Sequence, residues 1–329
     1  MSWSPTHARI HTLLKSKVLL PKDTAILMAV SGGQDSLCMA KLLLDLGERW
    51  GWRLAIVHCD HGWRPDSAEN AAHVMGLAQQ WQLPYFGETA QALRATEAAA
   101  RNWRYGVFAD VARRHGYHHV VTGHTATDRA ETVLYNLLRG SGADGIQALS
   151  WQRPLVNEQG SGAIWVTRPL LQLTRQETGL FCHDFGLSVW HDSSNEDLYY
   201  RRNRIRQELM PYLRSHFNPN VETTLAQTAE IFTAEVSYLE AQTDQLYADV
   251  VAPLEDGWCI HRPWFGAAPL ALQRRVARRL LQTVLPQQPN FEHIEKLVAL
   301  GNAPHRSQTD PFPGGWIARV EHDQIRLQR

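Results

Sequence analysis

Residues 25–36, AILMAVSGGQDS, decide the architecture. The apolar run over 25–31 has strand length and carries no charge, so it reads as a strand buried on both faces. Ser31-Gly32-Gly33-Gln34-Asp35-Ser36 then turns the chain, and an amphipathic helix follows to about Trp50. The two glycines let the backbone turn tightly and approach a ligand closely. Backbone N–H groups at the start of the helix face a concavity that favours an anion. Ser31 and Ser36 add hydroxyl donors. Asp35 is the odd member, because a carboxylate beside a phosphate is repulsive unless a cation lies between them. It is therefore the expected metal ligand, with Mg²⁺ as the suited ion. No GxxxxGK[ST] occurs in the chain, so the loop is not a Walker motif.

Working outward, strand-like and helix-like segments alternate. RLAIVH (53–58), LPYFGE (83–88) and HHVVTGH (118–124) read as strands. Residues 67–82, 96–115 and 126–139 read as helices, with Thr96 as an N-cap of the second. Such alternation predicts an α/β fold with a parallel sheet. Ligands of such sheets sit beyond the C-terminal strand ends, where Ser31–Ser36, His58–Arg64 and Gly123–Asp128 fall. Residues 140–163 read as a flexible loop. The order resumes over 164–214 and ends in an arginine-rich helix. Residues 219–251 read as one long helix, 269–285 and 290–300 as further helices, and the end of the chain as a hairpin. The expected division is a domain over 1–215 and a smaller, mainly helical one over 216–329.

The 329 residues are 44 % hydrophobic and 20 % charged, which excludes a disordered chain. No apolar run approaches the ~20 residues of a membrane span, and the N-terminus lacks the apolar core of a signal peptide. Cys38, Cys59, Cys182 and Cys259 lie far apart, which points to a reducing compartment and against a clustered metal site. The expected location is the cytoplasm, with no membrane partner. The 33 basic and 33 acidic residues balance, but not evenly. Residues 101–215 hold 14 bases against 11 acids, every base an arginine, the side chain suited to phosphates and to stacking on bases. Residues 216–329 are net acidic.

SGGQDS resembles the SGGxDS loop of the N-type ATP pyrophosphatases. Further motifs follow in one register: His58-Cys59-Asp60-His61-Gly62-Trp63-Arg64 with Ser67 and Glu69, and Glu97-Ala98-Ala99-Ala100-Arg101 with Arg104 and Tyr105. Then come Gly123-His124 with Asp128, Glu131, Thr132 and Arg139-Gly140, then Arg168-Pro169-Leu170-Leu171, Asp192-Ser193-Ser194-Asn195 and Arg202-Asn203-Arg204-Ile205-Arg206. Together they resemble the tRNA(Ile)-lysidine synthetase family over about residues 20–214. Trp63, Thr125 and Arg129 depart from its pattern but leave His124, Asp128 and Glu131 in place.

The resemblance implies a PP-loop fold and a ligase. ATP would adenylate the wobble cytidine of an isoleucine tRNA with a CAU anticodon. L-lysine would then displace AMP to give lysidine, which changes codon reading from AUG to AUA. Ser31, Gly32, Gly33, Gln34, Asp35, Ser36 and His58 would bind ATP, and Asp35 the Mg²⁺. His124, Asp128 and Glu131, at i, i+4 and i+7, share a helix face of ~60°. With Asp35 they are the expected catalytic set, Asp128 or His124 taking a proton from the lysine ammonium or holding it by charge. Tyr199, Tyr200, Arg201, Arg202, Arg204 and Arg206 interleave rings with guanidiniums, as suits single-stranded RNA. Arg64 and Arg104 are further expected tRNA contacts, and Arg274, Arg275, Arg278 and Arg279 form a stripe for tRNA phosphates. Two other readings stay open: a different PP-loop tRNA-modifying enzyme such as a tRNA thiolase, and a non-catalytic adenine-nucleotide-binding module. Homodimerisation is compatible with the sequence and not specified by it.

Overall fold

The computed structural model describes residues 3–63, 65–91, 96–156, 163–191 and 201–329. It divides the chain into two compact units, Met1–Phe232 and Thr233–Arg329. The two units meet inside a long helix, whose first turns pack into the first unit.

The first unit opens with α1 (Pro5–Ser16), β1 (Ala25–Ala29), α2 (Gln34–Trp50), β2 (Arg53–Asp60), α3 (Ser67–Gln80) and β3 (Tyr85–Thr89). It continues with α4 (Glu97–His115), β4 (His119–Thr122), α5 (Ala126–Leu138), α6 (Ala143–Ile146), β5 (Gln152–Val156), β6 (Ile164–Thr167) and α7 (Arg175–Asp184). A short α8 (Arg201–Arg204), a π-helical turn (Ile205–Leu209), α9 (Met210–His216) and the start of α10 (Val221–Val250) complete it. The strand order is β3-β2-β1-β4-β6-β5. All pairings are parallel except that of β5 with β6.

Helices cover both faces of this sheet, which is why its strands are apolar on both sides. Ile26, Met28 and Ile56 pack with Leu37, Leu42 and Leu46 of α2 on one face. Leu27, Ala55 and Val57 pack with Phe108, Val111 and Ala112 of α4 on the other. The alternation of Ile26, Leu27 and Met28 is the period-two alternation of a strand. Thr96 caps α4 by accepting the N–H of Ala99 at 3.2 Å, as its sequence predicts.

β1 lies between β2 and β4, so the chain leaves it toward β2 and returns on its other side at β4. This is a topological switch point, where a crevice opens beyond the strand ends. The loops after β1 and β4 meet there. A Cβ on Gly123 would lie 2.8 Å from the Asp35 carbonyl oxygen and 2.9 Å from the Ser36 nitrogen. Only glycine lets the two loops approach so closely.

The second unit holds the rest of α10, β7 (Val251–Leu254), β8 (Gly257–His261), α11 (Arg262–Ala267), α12 (Leu270–Val284), α13 (Phe291–Ala299), β9 (Ile317–Glu321) and β10 (Gln324–Gln328). Its antiparallel sheet has the order β7-β8-β10-β9. Ile260, Val320, Ile325 and Leu327 of the sheet pack against Val276, Leu280 and Leu281 of α12. The terminal hairpin is thus joined by a second one, β7–β8, beyond the mainly helical content expected here. No helix among the described residues is long and apolar enough to cross a membrane.

Candidate active site

The loop after β1 is built from its own hydroxyls and held from outside. Ser36 Oγ donates to the Gly33 carbonyl at 2.9 Å and accepts the Ser31 N–H at 3.1 Å. The Gly33 N–H reaches Ser31 Oγ at 3.4 Å. Gly32 has φ +89°, and a Cβ there would lie 2.5 Å from Asn70 Oδ1, so both conformation and space require glycine. Asn70 Nδ2 donates to the Ser31 carbonyl at 3.1 Å, and the Trp190 N–H to that of Gly32 at 2.9 Å. Gln34 turns away from the concavity and donates to the Arg175 carbonyl at 2.6 Å. His58 is buried, with Nδ1 2.8 Å from the Val30 carbonyl oxygen. It braces the strand end from which the loop springs.

Asp35 sits in the first turn of α2, where an acidic side chain complements the helix dipole. Its Oδ2 accepts from Arg175 Nη1 at 3.2 Å, and its Oδ1 accepts from Thr178 Oγ1. Burial and repulsion from Asp128 nevertheless push its carboxyl above the usual carboxylate range, against the pull of Arg175, Thr178 and Arg206. Asp35 and Asp128, whose loops meet at the switch point, thus influence each other electrostatically.

α5 supplies the second half of the site. Its N-cap Thr125 and Asp128 form a capping box, in which Asp128 Oδ2 accepts from the Thr125 N–H and Oγ1, both at 2.9 Å. Asp128 Oδ1 accepts from Arg202 Nη2 at 3.1 Å and Arg206 Nη2 at 3.2 Å. Glu131, fully buried, accepts from Arg206 Nε at 2.6 Å and Nη2 at 2.9 Å, and from Arg202 Nε at 3.2 Å. Burial alone would raise the Asp128 carboxyl, but Arg202, His124 and Arg206 outweigh it and hold it below its ordinary range. His124 has Nδ1 2.8 Å from Thr122 Oγ1. Burial, reinforced by Arg168, Arg202 and Arg101 and opposed by Asp128, pushes its imidazole well below the usual histidine range. The ring is neutral near pH 7.

The expected residues therefore separate. Asp35, His124, Asp128 and Glu131 gather with the loop at the switch point. Arg202 and Arg206 join them as partners of the carboxylates instead of standing open to RNA, and the π turn carries Arg206. Arg201 and Arg204 are exposed, Arg204 pairing with Glu208 at 3.3 Å. Arg104 is half-buried with Nε shielded from solvent. In the second unit Arg274 pairs with Glu295, Arg275 and Arg278 with Glu240, and Arg279 with Glu240 and Asp244. Four guanidiniums there meet three carboxylates, so little of the stripe's charge is left uncompensated. Arg64, Tyr199, Tyr200 and residues 192–195 lie outside the described residues. Sequence reasoning missed Arg175 and Thr178. Thr174 and Glu177 announce a capping box, but nothing in that stretch points to Asp35, some 140 residues away.

The thiols of Cys38, Cys59 and Cys182 are poor nucleophiles. Burial pushes those of Cys59 and Cys182 up to about 12, and that of Cys38 higher still. Among the described residues no group of three His, Cys, Asp or Glu could hold a metal ion.

Residues 4–213 match the PP-loop domain family. Over its full length the chain is 52 % identical to the tRNA(Ile)-lysidine synthase of a Nostoc species, covering 98 % of that protein. It is also 52 % identical to the tRNA(Ile)-lysidine synthase of a Synechocystis species, with 99 % of this chain and 98 % of the other covered. Among solved structures it is similar to the U34-tRNA thiolase NcsA from Methanococcus maripaludis. That likeness has a TM-score of 0.56 and 17 % identity, over 68 % of this chain and 77 % of the other, and shows the shared fold alone. A glycine-rich loop and a cluster of carboxylates that meet at one switch point, with matches that run the length of both proteins, place this chain in the tRNA(Ile)-lysidine synthase family of PP-loop ligases.

Proposed function

We propose that the chain joins lysine to the 2-position of the wobble cytidine in the CAU anticodon of an isoleucine tRNA, converting ATP to AMP and pyrophosphate. The observation that carries this reading is the meeting of the two half-sites at Gly123. The loop N–H groups at the head of α2 would hold ATP phosphates. Asp128 and Glu131 already hold two guanidiniums in a desolvated setting, the chemistry that would receive a lysine ammonium.

The division of roles follows from charge. Asp128 is held ionised and suits attraction of the ammonium more than proton removal. His124 is neutral, and the burial that disfavours its protonation makes it a weak base, so it suits a hydrogen-bonding partner of the amine or the cytidine and not the final proton acceptor. Arg202 and Arg206 would have to yield part of their hold on Asp128 when lysine enters.

Asp35 fits Mg²⁺. This cation takes one or two carboxylates and otherwise keeps water and phosphate oxygens. Burial first, and Asp128 after it, disfavour the ionised form of Asp35 even with Arg175 beside it, so a further cation there would favour that form. Asp35 would hold the ion, which when bound offsets charge on the departing pyrophosphate. The cytoplasm, where tRNA and ATP are present, is the location consistent with this reading.

Sulfur transfer is disfavoured by thiols that resist ionisation. Mass spectrometry of the anticodon loop, after incubation of the isoleucine tRNA with enzyme, ATP, Mg²⁺ and lysine, tests the proposal. Lysidine at the wobble position is expected. An unmodified cytidine, or a thiolated base, would overturn it.

A further inference from the structure

A second concavity lies on the elements that carry the buried carboxylates. Its volume is about 580 Å³, within the range of small-molecule sites. Tyr135, Leu138 and Arg139 from the end of α5 form one side. Arg201, Arg204, Ile205, Glu208, Leu209 and Tyr212 form the other. The Arg139 guanidinium lies over the Tyr135 ring at 5.3 Å. Tyr212 is 54 % and Leu138 71 % exposed, so large apolar side chains stand in water beside three arginines and one glutamate.

Catalysis as proposed above leaves this pocket unused. Glu131 and Tyr135 are one helical turn apart on the same face of α5. On the facing segment Arg202 and Arg206 turn toward the carboxylates, while Arg201, Arg204 and Tyr212 line the pocket. A polymer whose reacting residue lies at Asp128 and Glu131 would therefore bring its next residue here. Aromatic faces with guanidiniums around them suit an unstacked base on a phosphodiester backbone. The excess of arginine over glutamate complements that backbone.

We infer that the pocket receives the nucleotide next to the modified cytidine in the anticodon loop. Tyr212 and the Tyr135–Arg139 pair stack on its base, and Arg201 and Arg204 face its phosphates. Glu208 is the one carboxylate of the wall and accepts from an exocyclic amine. In CAU the base that follows the cytidine is adenine, which carries one. The inference rests on the reading of function above.

The test uses the full chain and an anticodon stem-loop in which 2-aminopurine replaces that adenine; the probe keeps the stacking face but moves the amine from C6 to C2, so it reads stacking and not the Glu208 contact. Stacking should quench its fluorescence on binding. Tyr212→Ala should abolish most of the quench and raise the Kd about tenfold, and Tyr212→Phe should restore both. Arg139→Ala should weaken binding and flatten its salt dependence, with ATP affinity unchanged in each variant. If wild type makes lysidine while Tyr212→Ala and Arg139→Ala bind and quench as wild type does, the pocket is not a nucleotide site. If wild type neither binds the stem-loop nor makes lysidine, the functional reading fails and takes the pocket with it. If Tyr212→Ala changes only the sedimentation of the protein, the surface joins copies of the chain and the inference is overturned.

Discussion

Asp35 and Asp128 belong to one site, yet their carboxyls are displaced in opposite directions. Burial lifts Asp35 above its ordinary range, whereas Arg202 and Arg206 outweigh burial at Asp128 and depress it. A raised acid disfavours its own ionisation in the fold, so its cost grows as pH rises through the ordinary carboxylate range toward the folded value. The amide of Asp35→Asn carries no such cost. We expect thermal melts near pH 7 to show a Tm equal to or above that of wild type, with pyrophosphate release abolished. Near-normal turnover with the same Mg²⁺ dependence would remove Asp35 from the chemistry. A depressed acid contributes stability that is present above its unfolded pKa, about 4, and lost as pH falls through the folded value. Asp128→Asn should therefore cost about 2 kcal/mol at neutral pH and flatten the loss of stability below about pH 4. Denaturant titrations at stepped pH check this, and parallel wild-type and variant curves would contradict it.

At the scale of elements, α5 and the 201–216 segment are joined by charge and by a small apolar contact. Ala130 packs against Ile205 and Met210, with Leu134, Leu209 and Leu213 around them. The π turn over Ile205–Leu209 carries Arg206, and such turns often occur at functional sites because they redirect a side chain. Glu131 is fully buried and lies between the guanidiniums of Arg202 and Arg206. Arg206→Ala leaves Glu131 with Arg202 as its remaining guanidinium partner and should cost about 3 kcal/mol, the lower end for breaking a buried pair. Arg204→Ala removes only an exposed pair with Glu208 and should cost less than about 1 kcal/mol. Urea midpoints of the two variants make the comparison. Equal losses would show that Arg202 alone suffices to hold Glu131.

For the whole molecule the decisive feature is where the chain divides. The first turns of α10 belong to the first unit: Glu230 pairs with Arg129 Nη1 at 2.8 Å and Lys17 at 2.6 Å, and accepts from the Trp151 indole at 2.7 Å. Glu222 accepts from Thr127 at 2.5 Å and pairs with Arg214. A fragment ending at 215 would lose the contacts of Arg129, Lys17 and Trp151 with Glu230 and those of Thr127 and Arg214 with Glu222. We expect residues 1–232 to fold and bind ATP, and residues 1–215 to be less stable by about 3–5 kcal/mol. Melting curves of the two fragments decide the point. Equal stability would return the boundary to 215.

What the sequence alone determined is local. The apolar run of β1, the glycine turn and the amphipathic α2 announce a switch-point loop from their periodicity, and the order of motifs to Arg206 announces the family. Helix caps such as Thr96 are equally legible, because a cap bonds to an amide three residues away. The tertiary structure alone decided which arginines serve which acids. Arg202 and Arg206 reach Asp128 and Glu131 across more than 70 residues, Arg175 reaches Asp35 across 140, and Glu230 reaches Arg129 across 101. Composition shows many arginines and no preference among them. An ion pair is specified by proximity and desolvation, and both arise only when the sheet and its flanking helices have set distant segments side by side.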